Sequence, residues 1–220
     1  MKTINNIVKK DWIMLVVIIL SFIVGAYFYP SLPARVPIHW NASGQVDNYG
    51  SKLFGAFGLP TISLGIYILF IILPYIDPKR KNYDSFKSTY QLFKYIMIVF
   101  FLAMQVVTLL IDVGVAIEMS IFIQIMISLL FIIMGNVMGK LKHNYFVGIK
   151  TPWTLADERV WRKTHRLAGP LWVIGGILNV ILSLMGLSRS ISFIFILIII
   201  VIVPVAYSYA VYKNMDYKKE

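Results

Sequence analysis

The chain reads as an all-α integral membrane protein, with six transmembrane helices, both termini cytoplasmic, and one short interfacial helix. Three observations predict this. Apolar residues make up 59% of the 220 and charged residues only 14%, a balance outside the usual range of soluble domains. The charges gather in short stretches separated by six apolar runs, each near the roughly 20 residues that cross a bilayer core as a helix. The basic residues also fall on alternate connections, as the positive-inside rule requires of a multi-pass protein.

The elements follow in order. The first run, 12–29, comes after Lys9 and Lys10 as a signal peptide would. It leads into Ala26-Tyr27-Phe28-Tyr29-Pro30 with no small-x-small cleavage site, so it is expected to remain as an anchor. An outward loop, 30–52, leads to the second run, 53–76, and a cytoplasmic loop, 77–94, to the third. That third run, 95–111, is the shortest, and Leu92 and Phe93 extend it into the interface. A short acid-bearing link, 112–118, makes a tight hairpin with the fourth run, 119–139. A long polar island, 140–166, precedes the fifth run, 167–187, which closes through Ser188-Arg189 onto the sixth, 190–212. No internal repeat is visible, and 1–220 reads as one polytopic membrane domain.

With the N-terminus in the cytoplasm, 18 of the 21 basic residues face inward. Arg35, Lys52 and Arg189 face out, balanced by Asp47, Asp112 and Glu118, so the net charge of +11 belongs to the inner face. These charges flank membrane helices, which makes anionic lipid their natural counterion and gives no case for direct nucleic-acid binding. The same field can receive an acidic protein partner. Cysteine is absent, which excludes disulfides, thiolate catalysis and cysteine metal sites.

Inside the runs, Gln105, Gln124, Asn136 and Asn179 need hydrogen-bond partners where no water is available, either as interhelical contacts or as a polar substrate path. No acid or base falls mid-run, which weighs against an ion-coupled transporter. Pro60, Pro74, Pro170 and Pro204 mark kinks or helix ends, and Gly175-Gly176 permits close helix approach.

Two polar motifs remain. In the outward loop, Pro30, Pro33 and Pro37 hold an extended path into Ile38-His39-Trp40-Asn41, and Asn41-Ala42-Ser43-Gly44 reads as a turn with Gly44 at its permissive position. Trp40 and Tyr49 suit the headgroup level, and His39 can ligate a metal, titrate or bond a neighbour. Asn41-Ala42-Ser43 also matches the short glycosylation pattern. In the island, Thr151-Pro152 favours an extended break, Thr154 can cap a helix with Asp157 in its first turn, and 155–166 has room for three turns. Glu158, Trp161 and His165 fall on one face of that helix, with Glu158 also spaced to pair with Arg162. An acid and an imidazole in a row can serve proton transfer, but no nucleophile accompanies them. The competing reading makes Trp153 and Trp161 interface anchors within a salt-bridged basic rim. His143 and His165 lack the zinc-helix spacing, and neither metal nor cofactor is expected.

The loop Val36-Pro37-Ile38-His39-Trp40-Asn41-Ala42-Ser43-Gly44-Gln45-Val46-Asp47-Asn48-Tyr49-Gly50-Ser51-Lys52 resembles the DUF1648 signature. The island's Phe146-Val147-Gly148-Ile149-Lys150-Thr151-Pro152-Trp153-Thr154-Leu155, with Glu158, Trp161 and His165-Arg166, resembles the SdpI family of bacterial membrane proteins. Both motifs stand in the expected order. Lys150 occupies a place associated in the family with arginine, keeping the charge without the bidentate geometry. The resemblance implies immunity against a secreted, membrane-active toxin peptide of the SDP type. It further implies signalling, in which the toxin-bound protein holds a small cytoplasmic autorepressor at the membrane.

On that basis the expectation is a non-enzymatic immunity protein of the bacterial cell membrane. His39, Trp40, Asn41, Gly44 and Asp47 are its toxin-binding candidates. Gly148, Lys150, Thr151, Pro152, Trp153, Thr154, Glu158, Trp161, His165 and Arg166 form the cytoplasmic motif. A membrane-embedded enzyme acting on a lipid or peptide through Glu158 and His165 is one alternative; a small-molecule transporter is another. The charge-derived topology puts the two motifs on opposite faces.

Overall fold

The computed structural model describes residues 4–41, 44–187 and 190–216. Lys2, Lys218, Lys219, the side chains of Lys9 and Lys10, Ala42 and Ser43 of the expected turn, and the Ser188-Arg189 link lie outside this description. Six helices are long and apolar enough to cross a membrane: α1 (Ile4–Phe28), α2 (Lys52–Ile76), α3 (Lys87–Asp112), α4 (Met119–Met138), α6 (Glu158–Leu184) and α7 (Ser190–Asp216). A hairpin of β1 (Arg35–Trp40) and β2 (Val46–Ser51) joins α1 to α2, and a short α5 (Pro152–Ala156) precedes α6. The chain is an all-α multi-pass membrane protein carrying one small β-hairpin.

Helix α1 begins at Ile4 rather than at 12 and α7 runs on to Asp216, and two further differences from the sequence reading have physical reasons. Residues 87–94, expected in a loop, form the start of α3. Tyr90 and Phe93 are buried, Leu92 is half-buried, and Lys94 is itself only 6% exposed. The interfacial helix expected over 155–166 is divided instead. Thr151, rather than Thr154, caps α5, with Pro152 in its first turn, and the Thr151 and Thr154 side chains bond each other's backbone amides reciprocally. Asp157 then breaks the helix in extended conformation and caps α6 by accepting from the Arg159 amide. Residues 158–166 are therefore the first turns of the fifth spanning helix, because no residue able to stop a helix follows Asp157 until the apolar run has begun.

The chain clusters into two compact units, Met1–Ile71 with Lys94–Ser120, and Ile72–Phe93 with Ile121–Glu220. In the first, Met14, Ile18, Tyr67 and Ile98 form one buried cluster, and Leu32, Val36, Ala56 and Leu109 form another. A Cβ on Gly25 would collide with the Ala56 carbonyl, so only glycine lets α1 and α2 approach this closely. Gln105 closes the same contact, donating to the carbonyls of Ser21 (2.9 Å) and Ala56 (3.2 Å). The acid and base kept clear of the runs in the sequence reading meet inside this unit: Lys94 Nζ lies 2.6 Å from Asp11 Oδ2, both are buried, and Tyr67 also donates to Asp11 (3.5 Å).

In the second unit, small residues bring α4, α6 and α7 together. Gly135 and Gly169 face each other so closely that a Cβ on either would strike the other's carbonyl oxygen, at 2.7 and 2.9 Å. Gly176 packs on the Ser128 carbonyl and Gly175 on Ile196 and Ile200, as the glycine pair predicts. Asn179 donates to Ser128 Oγ (2.7 Å) and Ser183 to Gln124 Oε1 (3.3 Å), which makes Gln124 and Asn179 interhelical ties of the kind that serves membrane helices in place of water. Asn136 is exposed. All four prolines lie within helices that continue past them.

Candidate functional site

The hairpin of the first unit is rooted by burial at Val36. Val36 is fully buried beside Leu109 and Ala56, and the Lys52 amide donates to the Ala34 carbonyl (3.1 Å). Arg35 pairs with Ser51, Val36 with Gly50 and Pro37 with Tyr49, after which two irregularities shift the register so that His39 faces Asn48 and Trp40 faces Val46. Pro37 is tolerated because a two-stranded sheet consists of edges alone. The Asn41 and Gly44 side of the turn is well tied. The Asn41 amide donates to the Gln45 carbonyl (2.8 Å), the Gly44 amide to the Asn41 carbonyl (2.9 Å), and the Gln45 amide to Asn41 Oδ1 (3.0 Å). Gly44 has φ of +77°, a conformation that favours glycine, and a Cβ there would also press on Ser120 Oγ at 2.9 Å.

The polar side chains of the two strands are turned outward. His39 Nδ1 and Asp47 Oδ1 are hydrogen-bonded across the strands, with the imidazole 64% and the carboxylate 42% exposed. Tyr49 is exposed and Trp40 half-buried. His39 and Asp47 are thus brought together across the strands, whereas Asn41 and Gly44 flank the turn.

The island of the second unit folds the opposite way. Its centre is Trp161, fully buried, whose Nε1 donates to the Leu141 carbonyl (3.0 Å). The His165 ring stacks on the indole at 4.1 Å between centroids, and the His143 ring lies 5.3 Å from it. His165 is 1% exposed. Its Nε2 accepts from the Ile149 amide (2.9 Å) and its Nδ1 lies 2.8 Å from the Trp161 carbonyl. A carbonyl can only accept and an amide can only donate, so the proton sits on Nδ1 and both ring nitrogens are engaged. Gly148, at φ +116°, passes so close that a Cβ there would strike His165 Nε2 and the indole.

Thr151 and Thr154 extend this network. Thr154 Oγ1 reaches the Ile149 carbonyl (2.9 Å) and Thr151 Oγ1 meets Ser208 Oγ of α7 (3.0 Å). The Trp153 ring packs on Tyr209 at 5.0 Å. Asn144, fully buried, accepts from the amides of Phe146 (2.9 Å) and Val147 (2.7 Å) and donates to the carbonyls of Lys142 and Val147. Asp77, from the end of α2, accepts from the Tyr83 hydroxyl and the Tyr145 amide, both at 2.9 Å, and Asn82 donates to the His143 carbonyl (2.7 Å). The segment is a polar knot closed on itself.

The structure therefore separates residues that the helix spacing aligned. Gly148, Thr151, Thr154, Trp161 and His165 converge, but Glu158, Lys150, Pro152 and Arg166 are exposed. Lys150 Nζ bonds the Phe146 carbonyl (3.0 Å). The ion pairs found among the described residues do not include Glu158 with Arg162; Arg159 instead holds Asp157 at 2.8 Å. Trp161 is a core residue, which removes it from the anchor reading. Asp77, Asn82, Asn144 and Ser208 escaped the sequence reading. The acid directly before Pro78, ending an apolar run, was the signal available for Asp77.

Burial, with help from the Lys79 charge, holds the His143 pKa below its ordinary value. Its Nε2 is buried without a hydrogen-bond partner. Asp157 is held at about 2, chiefly by the hydrogen bond from Arg159. No cluster of potential metal ligands occurs among the described residues.

Comparison with known proteins spans both motifs. Residues 140–208 match the SdpI/YfhL protein family, and residues 16–64 match a domain of unknown function, DUF1648. Over 175 residues the chain is 31% identical to the protein named Immunity protein SdpI of Bacillus subtilis (strain 168), covering 80% of this chain and 82% of that one. No solved structure matches.

Proposed function

The chain belongs to the SdpI/YfhL family of membrane proteins, and from that premise we propose that it is a non-enzymatic immunity protein, protecting its bacterium against a secreted, membrane-active toxin peptide. The relationship to a protein named for immunity, extending over four-fifths of the chain, carries the reading. The geometry favours the hairpin as the place of recognition. His39 and Asp47 offer a paired imidazole and carboxylate on a hydrogen-bonded pair of strands that also carry Trp40 and Tyr49. Preorganisation of this kind lowers the entropy lost on binding.

The topology carried by the charges assigns the hairpin to the outer face and the knot to the inner one, with both termini cytoplasmic. A signalling branch adds that toxin occupancy biases the knot between two arrangements and alters its affinity for a cytoplasmic repressor. Occupancy achieves this only by binding the two arrangements unequally. The enzyme alternative draws little from the geometry, since Glu158 is exposed while both nitrogens of His165 are engaged. A path through the four polar residues fares no better, with Gln124 and Asn179 tied to other helices and Asn136 exposed.

The test is survival of a sensitive bacterium challenged with SDP-type peptide. Cells making the parent chain are expected to survive, and those making equal amounts of His39→Ala/Trp40→Ala to die. Unchanged protection by the double variant removes the hairpin from the reading. Absence of protection by an inserted parent chain removes immunity itself. A repressor whose location is unmoved by toxin removes the signalling branch.

A further inference from the structure

A groove of about 430 Å³ runs between α6 and α7, within the size range of roughly 300–1,000 Å³ typical of ligand sites. Its α6 wall is a stripe at intervals of four, Arg166, Pro170, Ile174 and Leu178, and Ile196 and Ile200 stand opposite on α7. Residues four apart share one face of a helix, and Gly175 lets the α7 side chains lie close against α6. From Arg166 to Leu178 the groove follows the helix for about 18 Å at 1.5 Å per residue, comparable to one leaflet, about half of the ~30 Å hydrocarbon core.

The charge is placed at one end only. Arg166 is the last charged residue of α6: residues 158–166 carry five of Asp, Glu, Lys and Arg, and 167–184 carry none. Arg166 is exposed, as are Ile174 at 66% and Leu178 at 47%. An apolar channel of one-leaflet depth, in a membrane-spanning helix pair, with a guanidinium at the level where charge begins, complements one molecule type in shape and charge.

We propose that this groove binds an anionic phospholipid, one acyl chain lying along Pro170, Ile174 and Leu178 and the headgroup phosphate held by Arg166. Guanidinium can grip a phosphate in a two-pronged manner. The site stands apart from the immunity reading and survives its failure.

The experiment uses the full chain purified in mild detergent, with retained dioleoyl phosphatidylglycerol and dioleoyl phosphatidylcholine counted by native mass spectrometry. The parent is expected to prefer phosphatidylglycerol about tenfold. Arg166→Gln is expected to abolish that preference, while Arg162→Gln, one turn earlier and outside the groove, preserves it. Ile174→Trp and Leu178→Phe, filling the channel from exposed positions, are expected to reduce retention of both lipids. Equal losses in Arg162→Gln and Arg166→Gln would reduce the effect to diffuse surface attraction and overturn the site. Full lipid retention by both filling variants would overturn it too, as would a dimer or a bound toxin peptide lost from them in place of lipid.

Discussion

The hairpin and the knot each rest on a long sequence motif rich in polar and aromatic residues, yet they use those residues in opposite ways. In the hairpin, backbone hydrogen bonds and the buried Val36 supply the order, leaving His39, Asp47 and Tyr49 turned outward. In the knot, Trp161, His165, Asn144, Thr151 and Thr154 are themselves the source of order, and nearly all their hydrogen-bonding capacity is spent inside. A motif can be distinctive because it recognises something or because it holds itself together. Burial tells the two apart: His39 is exposed where His165 is 1% exposed.

The contrast can be broken first at Trp161. Trp161→Ala removes a fully buried indole and its bond to Leu141, and is expected to cost about 3–5 kcal/mol; thermal unfolding in detergent and the amount of inserted protein report it. A comparable loss of about 3–5 kcal/mol is expected from Lys94→Met, which takes the cation of its ion pair from the buried Asp11 carboxylate. Adding Asp11→Asn should recover most of that loss, so a double variant as unstable as the single would show that the pair contributes little by charge. Gly148→Ala comes next, through backbone strain of about 1–3 kcal/mol at a positive φ and the clash with His165. A wild-type unfolding midpoint there would mean that the knot is looser than its hydrogen bonds imply.

The effect of pH is smaller and separable. The folded-state pKa of His143 lies below its ordinary 6.5, so as pH falls through that value the unfolded chain takes up protons first and stability declines, until pH drops below the folded value. The unfolding midpoint of the parent should therefore fall on acidification from pH 7 to 5 more than that of His143→Leu. Asp157 does not share this window. Its pKa of about 2 keeps its cap on α6 intact until far stronger acid, the stability it adds being lost only as pH falls below the ordinary carboxylate value of 3.8 towards 2. The smallest stability change belongs to the hairpin. His39→Ala is expected to shift stability within about 0.5 kcal/mol, as surface substitutions do, and its larger effect should appear only as survival against toxin.

Much of the fold was legible because hydropathy integrates over many residues. A run of about 20 apolar side chains between charges has one stable fate in a bilayer, whatever its neighbours do. Legibility failed where polar residues are buried by partners distant in sequence. Lys94 reads as loop until Asp11, 83 positions away, supplies its counterion. Residues 158–166 read as a separate surface helix until hydrogen bonds with Leu141 and Ile149 tie Trp161 and His165 into the core. The hairpin gave its prolines and Gly44 to inspection, but its register depends on two irregularities that no alternation of side chains announces.

By itself, then, the sequence determined that this is a membrane protein of six spans, where its polar motifs lie and which family it resembles, since these depend on composition, order and local spacing. Only the tertiary structure decided which motif side chains are offered and which are consumed. Glu158, Trp161 and His165 share a helical face on paper, and exposure of one against burial of the other two follows from what packs around that face. Hydrogen-bond partners for buried groups come from wherever the chain returns, and the length of the return is not written in the spacing of the motif.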